Sequence, residues 1–153
     1  MAGLPTILWP RMKPVFLSIF AAFIVFSSFS VTAQITLTEV TVKKPVPGQT
    51  VGAGYFSVAN LGDASRVLLG VSTDQAERVE MHTHVHHDGV MSMQKMESFE
   101  VPANAALKFE PGKNHLMLFS PSEDALESGV INLEFQFQDG ETISVTAQVE
   151  SWQ

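Results

Sequence analysis

The sequence predicts an all-β fold, either an antiparallel β-sandwich or a small Greek-key barrel. Three observations carry that expectation. From Ile35 onward, short β-rich runs alternate with turn signals built on Pro, Gly, Asn and Asp. No long stretch repeats its apolar residues at the 3.6-residue period of a helix. Asp-Gly pairs at Asp88-Gly89 and Asp139-Gly140 each sit between two such runs, as in tight hairpins. About seven to nine short strands are expected, in one domain.

The elements follow in order. Ile35 to Val42 alternates apolar and polar residues as a half-buried strand, and Pro45 and Pro47-Gly48 end it. Val51 to Val58 is the second strand. Asn60-Leu61-Gly62-Asp63 turns the chain into Arg66 to Ser72. Glu77 to His84 and Val90 to Met96 form a hairpin around Asp88-Gly89. Phe99 to Val101 and Ala106 to Phe109 are short strands, and Pro111-Gly112 turns into His115 to Phe119. Ser122 to Ser128 has room for one turn of helix. Val130 to Gln138 and Thr142 to Val149 pair around Asp139-Gly140.

Residues 1–33 read as a secretory signal peptide, leaving 34–153 as the folded domain. Arg11 and Lys13 supply the positive start, Val15 to Phe29 is apolar and uncharged, and Val31-Thr32-Ala33 offers small residues for cleavage after Ala33. The apolar run is interrupted by Ser27, Ser28 and Ser30, and it is short for a membrane span, so no anchor is expected after cleavage. Met12-Lys13 directly before the apolar run also reads as a translation start of its own.

The leader takes Arg11 and Lys13 of nine cationic residues, leaving seven against sixteen carboxylates, a charge of −9 with His neutral. That balance disfavours nucleic acid, whose phosphates need a basic surface. There is no cysteine. Disulfides, a lipid-bearing cysteine, a thiolate zinc site, a blue-copper site and a cysteine nucleophile are thereby excluded. No Ser-His-Asp spacing, phosphate loop or paired-carboxylate motif stands out either, so the chain reads as a binding protein and not an enzyme.

Its chemistry is concentrated. His82, His84, His86 and His87 crowd one segment, His115 lies on another strand, and Met81, Met91, Met93, Met96 and Met117 fall in the same third of the chain. Side chains on a strand alternate faces. His115 and Met117 therefore share one face, with Leu116 and Leu118 on the other. A two-residue loop at Asp88-Gly89 pairs His84 with Met93, whereas a four-residue loop pairs His82 with Met93. Both registers put His82, His84, Met91 and Met93 on one face, with Met81, Val85 and Val90 on the opposite, core face.

Thioether sulfur is soft and neutral, which suits Cu(I) and not zinc, magnesium or calcium, and imidazole accepts either copper oxidation state. Two His and two Met make a neutral set that needs no deprotonated thiol and cannot be lost to disulfide formation.

The spacing His82-x10-Met93-x21-His115-x-Met117 resembles the signature of the periplasmic copper chaperones of the PCuAC family. The surroundings agree: Ala53 to Asn60, Val79-Glu80-Met81-His82, Asp88 to Met93, Val101-Pro102-Ala103, and Phe109 to Gly112 before His115. The resemblance runs from about Ile35 to Val149. It implies a cupredoxin-like β-sandwich holding one Cu(I) on His82, Met93, His115 and Met117. It also implies a periplasmic role in copper delivery towards the CuA centre of cytochrome c oxidase, beside a thiol-bearing redox chaperone.

Two features depart from the family pattern. Lys113-Asn114 stands where a second glycine is common, and His84, His86 and His87 occupy the first spacer. Those histidines, with Met91 nearby, are either secondary ligands for a second copper as Cu(II) or a polar hairpin tip. The competing functional reading is copper sequestration or tolerance without delivery. A metal-free sandwich that binds another protein is a third.

Overall fold

The computed structural model describes residues 34–152 apart from Asp88. The expected leader, its cleavage point and the alternative start at Met12 lie outside the described residues. Among those described, no helix is long and apolar enough to cross a membrane.

Ten strands and one short helix follow Gln34: β1 (Ile35–Lys43), β2 (Val51–Asn60), β3 (Arg66–Ser72), β4 (Ala76–His87), β5 (Val90–Met96), β6 (Phe99–Val101), β7 (Ala105–Phe109), β8 (His115–Pro121), α1 (Glu123–Ser128), β9 (Val130–Phe137) and β10 (Thr142–Glu150). The all-β expectation holds, with ten strands instead of the seven to nine expected. The sequence run 99–109 splits into two strands as expected, and Asn104 between them adopts a φ of 54°.

The strands form one hydrogen-bonded sheet in the order β5-β4-β8-β2-β1-β10-β9-β3-β6, with β7 pairing the far half of β2. Every neighbouring pair is antiparallel except β1 and β10, which run parallel through Thr41–Gln148, Val42–Val149 and Lys43–Glu150. The sheet is therefore mixed. No hairpin joins these two strands, so nothing in the local sequence dictates their relative direction. A bulge in β1 between Thr38 and Thr41, with Glu39 at a φ of 54°, interrupts the pairing with β2 just before β10 is engaged.

The sheet folds over an apolar interior, giving the two-layered arrangement of a β-sandwich. Phe56 of β2 stacks on its cross-strand partner Phe109 at 4.1 Å and meets Phe135 of β9 edge-on at 4.9 Å. Phe99 of β6 closes on Phe109 at 4.9 Å, also edge-on. Such edge and stacked contacts add to the burial of the rings themselves. Alternate residues of β2 point into this interior, including Phe56, Val58 and Asn60.

Two β2 residues explain how the core closes. A Cβ added at Gly54 would lie 3.0 Å from Leu116 Cβ and 3.2 Å from Leu118 Cδ1, so glycine lets β8 pack tightly against β2. Asn60 is wholly buried, and all its polar atoms are used. Its Nδ2 donates to the carbonyls of Ala64 (2.8 Å) and Val101 (3.0 Å), and its Oδ1 accepts from the Gly62 amide (3.0 Å). The Asn60–Asp63 turn is thus pinned to β6 from inside.

The expected helical turn is present as α1. Ser122 caps it, its Oγ accepting from the Ala125 amide at 3.3 Å, and Gly129 ends it in the left-handed region at φ 76°.

Candidate metal centre

β4, β5 and β8 lie side by side and present a shared outer face. On β4, Met81 is 3% exposed and Val79 packs against the core, and strand alternation puts Thr83 and Val85 on that same face. Glu80, His82, His84 and His86 therefore face outward. On β8, Leu116 and Leu118 are buried inward, which turns His115 and Met117 outward. The expected sharing of one strand face by His115 and Met117 is observed.

The hairpin register is the two-residue one. His87 pairs with Val90 around Asp88-Gly89, with Gly89 at φ 78°, so His84 lies opposite Met93, His86 opposite Met91 and His82 opposite Lys95. A four-residue loop would have ended β4 at Val85, whereas its strand continues to His87. His82, His84, Met91 and Met93 still share one face, as both registers required. Met93 is offset two residues from the position opposite His82, a diagonal within reach of a long side chain. Val90 shares the face of Met81 but is 66% exposed. The reason is topological: β4 pairs with β8 from Ala76 only as far as His82, so the rest of β4 and β5 form a two-stranded ribbon.

His82 is the hub of the arrangement. It lies directly opposite His115 on β8, with ring centroids 6.0 Å apart, and Glu80 lies opposite Met117. Its Nε2 donates to Glu80 Oε2 at 2.9 Å. Its Nδ1 is buried and has no hydrogen-bond partner. With the proton committed to Nε2, Nδ1 carries a free lone pair in a shielded place. A buried polar atom left without a partner costs stability, and a bound metal is one remedy.

His115 is held differently. It is 7% exposed, and its Nδ1 donates to the Lys113 carbonyl at 3.0 Å, which leaves Nε2 as the free nitrogen. Burial, foremost, pushes its pKa below the ordinary 6.5. The Lys113 carbonyl pulls the other way, and His84 and His82 add to the lowering. The ring is accordingly neutral at pH 7, the form that binds metals. The Lys113-Asn114 segment supplies this support: Pro111-Gly112 closes a turn in which the Glu110 amide donates to the Asn114 carbonyl at 2.7 Å.

His84 joins the same group. Its ring stacks 5.0 Å from that of His115, and its Nδ1 approaches the same Lys113 carbonyl at 3.3 Å. His84, His115 and Met117 line a shallow cleft of about 250 Å³. His86 is exposed beside Met91, which is 57% exposed. Among the described residues, no three His, Asp or Glu side chains converge as a ready-made metal cage. Of the extra histidines, His84 packs against His115.

Sequence reasoning gave Glu80 no role, although it falls on the His82 face by simple alternation. The Lys113 carbonyl has no signal in a sequence, because any residue supplies one. Glu80 also accepts from Arg78 Nε at 3.2 Å, and Lys95 stands 4.0 Å away. The hydrogen bond from His82, foremost, holds its carboxyl below the usual range, with Arg78 and Lys95 assisting against some burial.

Comparison with known proteins adds an independent line. The model of the LpqE-like family, described as putative lipoprotein LpqE-like, matches residues 35–149. A putative lipoprotein of Leifsonia xyli subsp. xyli is 30% identical over 107 residues, covering 69% of this chain and 64% of that protein. An uncharacterized protein of Rickettsia prowazekii is 30% identical over 98 residues, covering 63% and 54%. The chain thus spans less than two thirds of the length of these relatives. Among solved structures, the copper-bound PCuAC domain from PmoF2 superposes with a TM-score of 0.64 at 19% identity, covering 78% of this chain and 95% of that one. Cu(I)-bound DR1885 from Deinococcus radiodurans gives 0.60 at 27% identity, covering 72% and 74%. The cupredoxin-like PCuAC fold expected from the motif is thereby observed.

Proposed function

The chain belongs to the LpqE-like family, of the PCuAC type, and on that premise we propose that it is a carrier of Cu(I) and not an enzyme. The observation that carries this reading is the unpartnered, buried Nδ1 of His82, set on one sheet face with His115, Met117 and Met93. The relatives whose structures carry copper support it, since copper is what two of them hold.

His82 and His115 supply two imidazole nitrogens, and Met93 and Met117 two thioethers. The set is neutral and soft, and Cu(I) is the matching ion. Met93 is 54% exposed, so one donor stays accessible to an incoming ligand. That favours release by ligand exchange over permanent storage. The direction of transfer follows from donor strength: a recipient with thiolates binds Cu(I) more tightly and draws it away from thioethers. Copper leaves in the oxidation state in which it was held.

The leader read in residues 1–33 supports export, and the periplasm is the compartment in which we place the carrier. A CuA subunit of cytochrome c oxidase is the recipient that the family resemblance favours, with a thiol-bearing chaperone as a redox partner. Sequestration without delivery uses the same site and differs only in the partner.

Copper stoichiometry of the purified protein tests the reading. One Cu(I) per chain under reducing conditions, lost in His115→Ala, is the expected result. No stoichiometric copper, or unchanged binding in His115→Ala and Met93→Leu, overturns it. An additional Cu(II) under oxidising conditions would assign a second ion to His84, His86 and His87. Transfer to an apo CuA domain separates delivery from sequestration.

A further inference from the structure

The geometry assigns Glu80 as the residue that sets which nitrogen of His82 faces the metal. Resting on the copper-carrier reading, we propose that Glu80 fixes the Nε2–H form of His82, so that His82 binds through Nδ1 while His115 binds through Nε2.

The two ring nitrogens of His82 have different surroundings. Nε2 lies 2.9 Å from Glu80 Oε2, and Nδ1 is buried without a partner. A free imidazole in water slightly prefers its proton on Nε2, but the choice is small and easily overturned by a neighbour. A carboxylate at hydrogen-bond distance makes the choice firm, because an ionised oxygen accepts and never donates. It also increases the electron density on the ring and so the basicity of the opposite nitrogen. His115 has the opposite arrangement, because its Nδ1–H donates to the Lys113 carbonyl.

Glu80 is itself held. Arg78 Nε donates to Oε1 at 3.2 Å, which leaves Oε2 for His82. The Arg78 guanidinium lies 3.6 Å over the Phe119 ring, an interaction that fixes its plane. Arg78 and Phe119 are cross-strand partners on β4 and β8, as Glu80 and Met117 are. A line of contacts thus runs Phe119, Arg78, Glu80, His82 along the outer face of the two strands that carry the site. The side chain of Glu80 is 19% exposed, so its bond to His82 is only partly open to competing water.

Glu80 also pairs with Arg78 and stands 4.0 Å from Lys95, but both of these use Oε1, and Oε2 is the oxygen that meets His82. It acts through His82 and is a positioning residue.

Nitrogen-15 NMR of the histidine rings in the full protein, without and with Cu(I), tests the proposal beside a Cu(I) affinity measured by competition with a chromophoric chelator. The expected wild-type result is His82 protonated at Nε2 and His115 at Nδ1 in the metal-free protein. Cu(I) then shifts Nδ1 of His82 and Nε2 of His115. Glu80→Gln keeps an accepting carbonyl, so the His82 form persists and affinity falls only a few-fold. Glu80→Ala loses the fixed form and about 10- to 100-fold in affinity, the usual cost of an outer-shell partner. A wild-type His82 with its proton on Nδ1 overturns the proposal. So does an unchanged ring form and affinity in Glu80→Ala. Equal, large losses in the Gln and Ala variants would make Glu80 a direct donor, which also overturns it. The ring measurement needs no copper, so failure of Cu(I) to bind would sink the carrier reading and leave the tautomer result standing on its own.

Discussion

His82 and His115 are direct cross-strand partners on β4 and β8, with their rings 6.0 Å apart. Their separation in sequence is bridged by one antiparallel pairing, and the donor set is built around that pairing. His82→Ala and His115→Ala are each expected to lower Cu(I) affinity by more than the roughly 10- to 100-fold typical of an outer-shell partner. Competition titration with a chromophoric chelator measures it, and wild-type affinity in either variant removes that residue from the site.

The hairpin end offers the matching control. His86 and Met91 face each other there, and both are exposed. His86→Ala and Met91→Leu should leave Cu(I) affinity within about twofold of wild type, whereas Met93→Leu should not. A loss in Met91→Leu equal to that in Met93→Leu would mean that the thioethers are interchangeable.

The lowered pKa of His115 makes the metal-free fold sensitive to acid. Burial, foremost, places the folded value below the ordinary 6.5, so the unfolded chain binds the proton more readily. Stability is therefore full above 6.5 and falls as pH drops below it, until the folded value is reached. Urea unfolding of the metal-free protein between pH 7.5 and 5 should show this decline, and His115→Gln should flatten it. A slope unchanged by the substitution would show that other groups carry the acid sensitivity.

Asn60 is expected to matter for stability and not for copper. Asn60→Ala leaves the carbonyls of Ala64 and Val101 and the amide of Gly62 without their partner. A loss of about 3 kcal/mol follows from stranding buried polar groups. Denaturant midpoints measure it. A change below about 0.5 kcal/mol would mean that water replaces the side chain.

Gly54→Val tests the close approach of β2 to β8. The added branches meet Leu116 and Leu118, which lie on the reverse side of the strand carrying His115 and Met117. Overpacking of this kind costs about 1–3 kcal/mol. A thermal unfolding midpoint at or above that of wild type would show that the strands have room to separate.

Much of this was legible in the sequence because strand alternation is a local rule. The outward set His115 and Met117 needs only the buried pair Leu116 and Leu118. The hairpin at Asp88-Gly89 needs only its turn residues, although choosing between its two registers required the structure, because the two put the same residues on the same face. What escaped was long-range. The parallel pairing of β1 with β10 has no turn to announce it. The packing of His84 against His115 depends on where the Pro111-Gly112 turn delivers Lys113. The role of Glu80 depends on a distance, and a distance to a ring nitrogen is not encoded in spacing alone.

The pairing of β1 with β10 has a consequence for the order in which the molecule can be made. Thr41 to Lys43 must wait for Gln148 to Glu150, so one edge of β1 stays unpaired until β10 is available. Contacts that span almost the whole chain slow folding, and β-rich domains of this type fold in milliseconds to seconds. The β1–β10 pairing is thus expected to form late, closing the sheet across its most distant strands in sequence.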